Sequence, residues 1–119
     1  MRSRGVLRGG TAAWLGQAVT GVLLVVLGSV HMVAQHFTAP GGLRTYDQVV
    51  SYLRQPAAFV IETAFLVVVI VHALLGARAV ALDLGPARHW QRRLDLGLLA
   101  LGILMTCYGI GITLKVVLR

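Results

Sequence analysis

Charged side chains are scarce in this sequence. Only 13% of its 119 residues are Asp, Glu, Lys or Arg, whereas 57% are hydrophobic, and the mean hydropathy is +0.80. A soluble domain carries roughly twice that charged fraction. The composition therefore argues against a soluble fold, and the length allows a single domain over residues 1–119.

Cysteine occurs once, as Cys107, which excludes an intramolecular disulfide and any paired-cysteine metal motif. The sequence also has no phosphate-binding loop and no pattern typical of a hydrolase triad. We therefore expect no catalysis by this chain alone. Cys107 lies in an apolar stretch and is interpreted as a small packing residue.

Acidic residues are few: 4 Asp and Glu stand against 11 Lys and Arg, for a net charge of +7. Such a balance can indicate nucleic-acid binding, but here the basic residues lie at the ends of long apolar runs, which is typical of a membrane protein. We predict an all-α integral membrane protein with three transmembrane helices, at about 14–36, 56–78 and 94–115, in contact with lipid and not with nucleic acid.

Two connectors separate the predicted spans. The first, from Thr38 to Gln55, contains a helix-breaking Pro-Gly-Gly, and residues 46–53 have the pattern of a short helix on the membrane surface. The second follows Gly85-Pro86 and is predicted to be a basic loop over residues 88–93. Basic residues are more numerous on the side of the N-terminus and this loop, so the positive-inside rule predicts a cytoplasmic N-terminus.

His72 lies inside an unbroken apolar run, and Gly76 follows one helical turn later on the same face. An imidazole in hydrocarbon needs a partner. A glycine one turn away leaves room for a flat, bulky group. The pattern is compatible with a haem ligand, and equally with a histidine that is hydrogen-bonded to a neighbouring helix.

A second histidine, His31, lies at a different depth. From the helical rise it is roughly 8 Å from the outer edge of the membrane, whereas His72 is roughly 24 Å and Glu62 roughly 9 Å from that edge. Two axial ligands of one haem must face each other across the ring, so the two histidines cannot share one. Either one histidine is not a ligand, or two haems are stacked across the membrane, each with a second ligand from another chain.

The run from His72 through Gly76 to Asp83 resembles the H-x-x-x-G…D signature of the membrane-anchor subunits of succinate dehydrogenase and fumarate reductase. The segment 17–21, Gln-Ala-Val-Thr-Gly, followed by His31, is similar to the first helix of the dihaem cytochrome b anchors. This resemblance implies two haem b groups shared with a partner subunit, with His31 and His72 as iron ligands.

The resemblance also implies the partners. The chain would be one of two small hydrophobic subunits of complex II that anchor an FAD flavoprotein and an iron–sulfur protein to the cytoplasmic face of a bacterial or archaeal cell membrane. Electrons from succinate would pass through the iron–sulfur clusters to a membrane quinone. The sequence departs from the ubiquinone-reducing members after Asp83, where Leu84 replaces a tyrosine that contacts quinone.

Three charged residues near the spans have open roles. Arg78 could pair with a haem propionate or extend to the lipid headgroups. Glu62 could handle protons for a quinone, or could be a protonated acid bonded to a neighbouring helix. Asp83 is a second quinone or proton candidate, or could neutralise an arginine of the basic loop.

One rival class of function is a non-redox membrane protein, such as a small transporter subunit or an assembly factor. In that case His31, Glu62 and His72 would be polar contacts between helices or a proton relay. A b-type haem spectrum distinguishes the two classes.

Overall fold

The computed structural model describes the backbone of residues 3–119 and the side chains of residues 10–119. This part of the chain is helical and contains no strand. Helix α1 is Ser3–Met32 and continues in a π-helical turn over Val33–Phe37; α2 is Tyr46–Leu53, α3 is Pro56–Asp83 and α4 is Arg88–Leu118. The side chains of the basic N-terminal leader, Arg2, Arg4 and Arg8, lie outside the described residues.

Three segments are long and apolar enough to cross a membrane: Gly10–Phe37, Pro56–Asp83 and Arg88–Leu118. The predicted all-α fold with three spanning helices is therefore confirmed, and the chain is a multi-pass membrane protein. One local prediction is wrong, because residues 88–93 form the first turns of α4 and not a loop. Helix α4 follows the extended residue Ala87, which makes no side-chain cap.

Helix α3 lies between α1 and α4. It contacts both of them, whereas no contact joins α1 to α4 in the described part of the chain. The spanning helices therefore form a single layer and not a closed bundle. Among the described side chains only Ala39, Ala58 and Ile70 are buried, and residues such as Val25 and Leu104 are 71% and 67% exposed. Lipid or partner helices must cover these apolar faces.

Glycines allow α1 to approach α3 closely. A methyl group placed on Gly21 would be 3.4 Å from Cε1 of His72, and one on Gly28 would be 3.7 Å from the Phe65 ring. Because the two glycines are seven residues apart, they lie on the same face of α1. Small residues of this kind are typical of close helix packing in membranes.

A second glycine pair allows α4 to approach α3. A methyl group on Gly102 would be 2.7 Å from Cδ1 of Leu74, and one on Gly109 would be 2.6 Å from Cδ2 of Leu66. Gly97 belongs to the same helix but has nothing within 4 Å of its methyl position. Gly102 and Gly109 therefore lie at the contact between α3 and α4, whereas Gly97 lies outside it.

The predicted short helix at residues 46–53 is confirmed as α2. Its N-terminus carries a capping box, in which the Thr45 hydroxyl accepts from the Gln48 backbone and the Gln48 side chain accepts from the Thr45 backbone. Gly41 and Gly42, with φ of 77° and 82°, make the turn before it.

Two arginines fasten this connector to the spanning helices. Arg44 Nη2 donates to the Ala34 carbonyl at 2.8 Å, and its guanidinium lies 4.6 Å from the centre of the Tyr52 ring. Arg54 Nε donates to the Val117 carbonyl at 3.2 Å. Both acceptors lie near helix C-termini, where carbonyl groups lack helical partners and a cation is favourable. The connector is therefore held against the C-terminal ends of α1 and α4.

Candidate functional site

His72 of α3 is held by a hydroxyl group of α1. Its Nδ1 lies 3.0 Å from Thr20 Oγ1, and the ring packs on Gly21, whose methyl position is 3.4 Å from Cε1 of the ring. The imidazole is half-buried between the two helices. The neighbouring spanning helix thus supplies the polar partner that a histidine in an apolar helix requires.

The Thr20 contact indicates which nitrogen of His72 carries the proton. A threonine hydroxyl has one proton to donate, and Thr20 Oγ1 lies 2.7 Å from the Gly16 carbonyl and 3.1 Å from the Gln17 carbonyl. Because that proton points at the backbone, we assign Nδ1–H of His72 as the donor to Thr20. Nε2 is then an unprotonated acceptor, and no described group is hydrogen-bonded to it. A neutral imidazole in this form can ligate a metal.

Gly76, one turn from His72, faces α1 at a close distance. A methyl group there would be 3.2 Å from Nε2 of Gln17. The other amide atom of that side chain, Oε1, is buried and has no hydrogen-bond partner. The absence of a side chain at Gly76 therefore leaves space for the Gln17 amide, one helical turn from His72. Contact of Gly76 with a cofactor stays a prediction.

His31 of α1 lies in a second polar cluster, around the carboxyl group of Glu62 on α3. His31 Nδ1 is 2.6 Å from Glu62 Oε2, Tyr52 donates to Oε1 at 2.9 Å, and Gln35 donates to the same oxygen at 3.4 Å. The His31 ring also stacks on Phe65, with 4.9 Å between the ring centres. The side chain of Glu62 is 12% exposed and that of His31 is 33% exposed.

Tyr52 reaches this cluster from the connector helix α2. Burial raises the pKa of the Tyr52 phenol above its ordinary value of 10.0; its hydrogen bond to Glu62 and the charge of Glu62 add to the rise, whereas Arg44 opposes it. The phenol therefore keeps its proton at neutral pH and acts as a donor to Glu62. A short helix outside the spans thus supplies one of the bonds that hold a carboxyl group inside them.

The two clusters lie at separate levels of the same helix pair. The first joins Thr20 to His72 and the second joins His31 to Glu62, ten or eleven residues apart on each helix, or about 15 Å along the axis. The predicted difference in depth between the histidines is close to this distance. One planar ring cannot be ligated on its two faces by nitrogens so far apart.

Arg78 and Asp83 lie beyond the His72 level, toward the end of α3. Arg78 Nε donates to Asp95 Oδ1 of α4 at 2.7 Å, at one end of an apolar cleft of about 460 Å³ between α3 and α4. Pairing of Arg78 with a propionate or with headgroups stays a prediction. Asp83 is exposed and makes no ion pair with an arginine among the described residues.

Four partners in these contacts escaped sequence reasoning: Thr20, Gln35, Tyr52 and Asp95. Thr20 lies in the segment that carries the family resemblance, so the signal for it was present. The other three needed knowledge of which helix faces meet. Among residues 10–119 no group of three or more His, Cys, Asp or Glu could hold a metal ion. A haem iron takes only one or two ligands from protein, so this search does not test the prediction of a haem, which rests on single histidines.

Comparison with known proteins identifies the family. The model of the family "Succinate dehydrogenase/Fumarate reductase transmembrane subunit" matches residues 2–111. A similar protein from Archaeoglobus fulgidus, the "Succinate dehydrogenase hydrophobic membrane anchor subunit", is 38% identical over 71 residues, which cover 60% of this chain and 60% of the relative. No solved structure matches the chain. The chain therefore belongs to the family of succinate dehydrogenase/fumarate reductase transmembrane subunits.

Proposed function

We propose that the chain is the haem b-binding membrane anchor subunit of a succinate:quinone oxidoreductase, complex II, and passes electrons from an iron–sulfur subunit to membrane quinone. The family supports the class of complex. The observation that carries the haem assignment is His72, a half-buried imidazole in an apolar helix whose Nδ1 is bonded to Thr20. That bond leaves Nε2 to ligate iron.

Both histidines have the features of residues that would hold a haem iron. Each has Nδ1 engaged by the neighbouring helix, His72 by Thr20 and His31 by Glu62. Each ring is therefore held in one orientation before any iron binds. Haem supplies one-electron transfer when bound. A second membrane-anchor subunit provides the other ligand of each haem and covers part of the open helix layer.

The proposal includes an orientation of the two levels relative to the partners. With a cytoplasmic N-terminus, His72 lies toward the iron–sulfur subunit, which in turn binds the FAD flavoprotein, and His31 lies toward the outside. Glu62 and Asp83 are the acidic candidates for proton transfer to a quinone. Arg78 uses Nε and Nη2 for Asp95 and keeps Nη1 for a propionate.

Haem quantification and the reduced visible spectrum of the purified complex test this proposal. We expect a b-type band and two haems in the wild type. His72→Ala should remove the inner haem, and His31→Ala should remove the outer haem alone. A single haem unaffected by His31→Ala would leave His72 as the only ligand from this chain. Absence of a b-type band would refute the haem assignment and favour a non-redox membrane subunit.

A further inference from the structure

Glu62 is placed in a spanning helix, where an acidic side chain requires partners. It has three of them, one from each of three segments: His31 in α1, Gln35 in the π turn that follows it and Tyr52 in α2. All three can donate a hydrogen bond, and both carboxyl oxygens are engaged. A side chain that is held from three directions is suited to fixing its neighbours in position.

We propose that Glu62 is a positioning residue for His31, and that Tyr52 tunes how strongly Glu62 accepts the proton of His31 Nδ1. The inference rests on the proposed function, because it requires His31 to ligate an outer haem through Nε2. The short distance of 2.6 Å between His31 Nδ1 and Glu62 Oε2 carries it. The arrangement is that of a ligand imidazole whose far nitrogen is bonded to a carboxylate.

The contact has a defined chemical effect on the ligand. When Nδ1–H donates to a carboxylate, Nε2 becomes a more basic ligand. A more basic ligand stabilises the oxidised iron, so the reduction potential of the haem falls. The same bond and the stacking on Phe65 hold the ring plane, so haem retention should depend on Glu62 as well.

Tyr52 acts on the same carboxyl group in the opposite sense. Its hydroxyl donates to Oε1 and withdraws charge from the carboxylate, which weakens the bond that the carboxylate accepts from His31. Removing Glu62's charge and removing Tyr52's hydroxyl should therefore shift the outer haem in opposite directions. Loosening of the fold would not produce shifts of opposite sign.

The experiment is a potentiometric titration of the whole purified complex, followed by its visible spectrum. Glu62→Gln should raise the reduced-to-oxidised ratio of the outer haem at a fixed potential, and it should weaken retention of that haem by about tenfold, the lower end of the effect of losing such a partner. Tyr52→Phe should lower that ratio. Tyr46→Phe is the matched control, because Tyr46 lies on the same short helix, is 62% exposed and should leave the ratio unchanged.

The inner haem at His72 is the internal reference, and its reduced-to-oxidised ratio at a fixed potential should be the same in all of these variants. Equal ratios in Glu62→Gln, Tyr52→Phe and wild type, or shifts of the same sign in both variants, would overturn the inference. If Glu62→Gln does not assemble, the Tyr52→Phe shift alone decides, because that change removes a single hydroxyl group. Haem content of His31→Ala separates the two claims: an unchanged haem count refutes the outer site itself, whereas loss of one haem together with unshifted variants refutes only the role of Glu62 and Tyr52.

Discussion

Replacement of Thr20 by valine should weaken haem binding at His72. Valine has nearly the shape of threonine but no oxygen, so Nδ1–H of His72 would lose the acceptor that now lies 3.0 Å away. An unsatisfied buried donor costs about 1–3 kcal/mol. Because His72 is half-buried, the lower part of that range applies, about 1–2 kcal/mol, which corresponds to roughly fivefold to thirtyfold weaker retention of the inner haem.

The assay is the rate at which the detergent-solubilised complex loses haem to an excess of a haem-accepting apoprotein. Thr20→Ser keeps the oxygen and should restore slow loss. Thr113→Val is the matched control, because Thr113 also donates to a carbonyl four residues earlier, at 2.9 Å, yet it has no histidine partner. Equal rates in Thr20→Val and Thr113→Val would show that only a local helix bond had been lost, and would refute the role of Thr20 in holding the ligand.

Two further predictions concern the fold and its orientation. Gly109→Ala should destabilise the α3–α4 contact by about 1–3 kcal/mol, because the new methyl group would lie 2.6 Å from Leu66, whereas Gly97→Ala should leave the stability unchanged. Unfolding in detergent measures the stability of both variants. Equal stabilities would contradict the packing of Gly109 against Leu66. A topology reporter fused after Arg119 should be active only outside the cytoplasm, given the basic bias of the N-terminal side; cytoplasmic activity would reverse the inner and outer assignment of the histidines.

Patterns that repeat along a helix were sufficient to predict the spans and the short connector helix. Apolar runs longer than a bilayer predicted three spans, and interleaved polar and apolar residues predicted the helix at 46–53. The start of α4 was mispredicted for a physical reason. Its first turns contain Arg88, Arg92 and Arg93, and the helix dipole disfavours cations at a helix N-terminus. Ala87 offers no side-chain cap. The sequence there consequently has the features of a loop.

The candidate site was only partly accessible from the sequence. Counting residues along each helix placed His31 and Glu62 at nearly equal depth, but it could not tell whether their faces met. That depends on the rotation of α1 against α3, which the packing of Gly21 and Gly28 on α3 determines. Tyr52 joins the cluster from outside the spans, and no periodic pattern could predict that contact.

The two polar contacts between α1 and α3 also have a mechanical consequence. A slide of one helix past the other by a single residue is a movement of 1.5 Å, and it would stretch the Thr20–His72 and the His31–Glu62 hydrogen bonds at the same time. Because these bonds are about 15 Å apart, they resist tilting as well as sliding. The distance between the two histidine levels is therefore set by α1 and α3, and α4 is connected to this pair through its packing on α3.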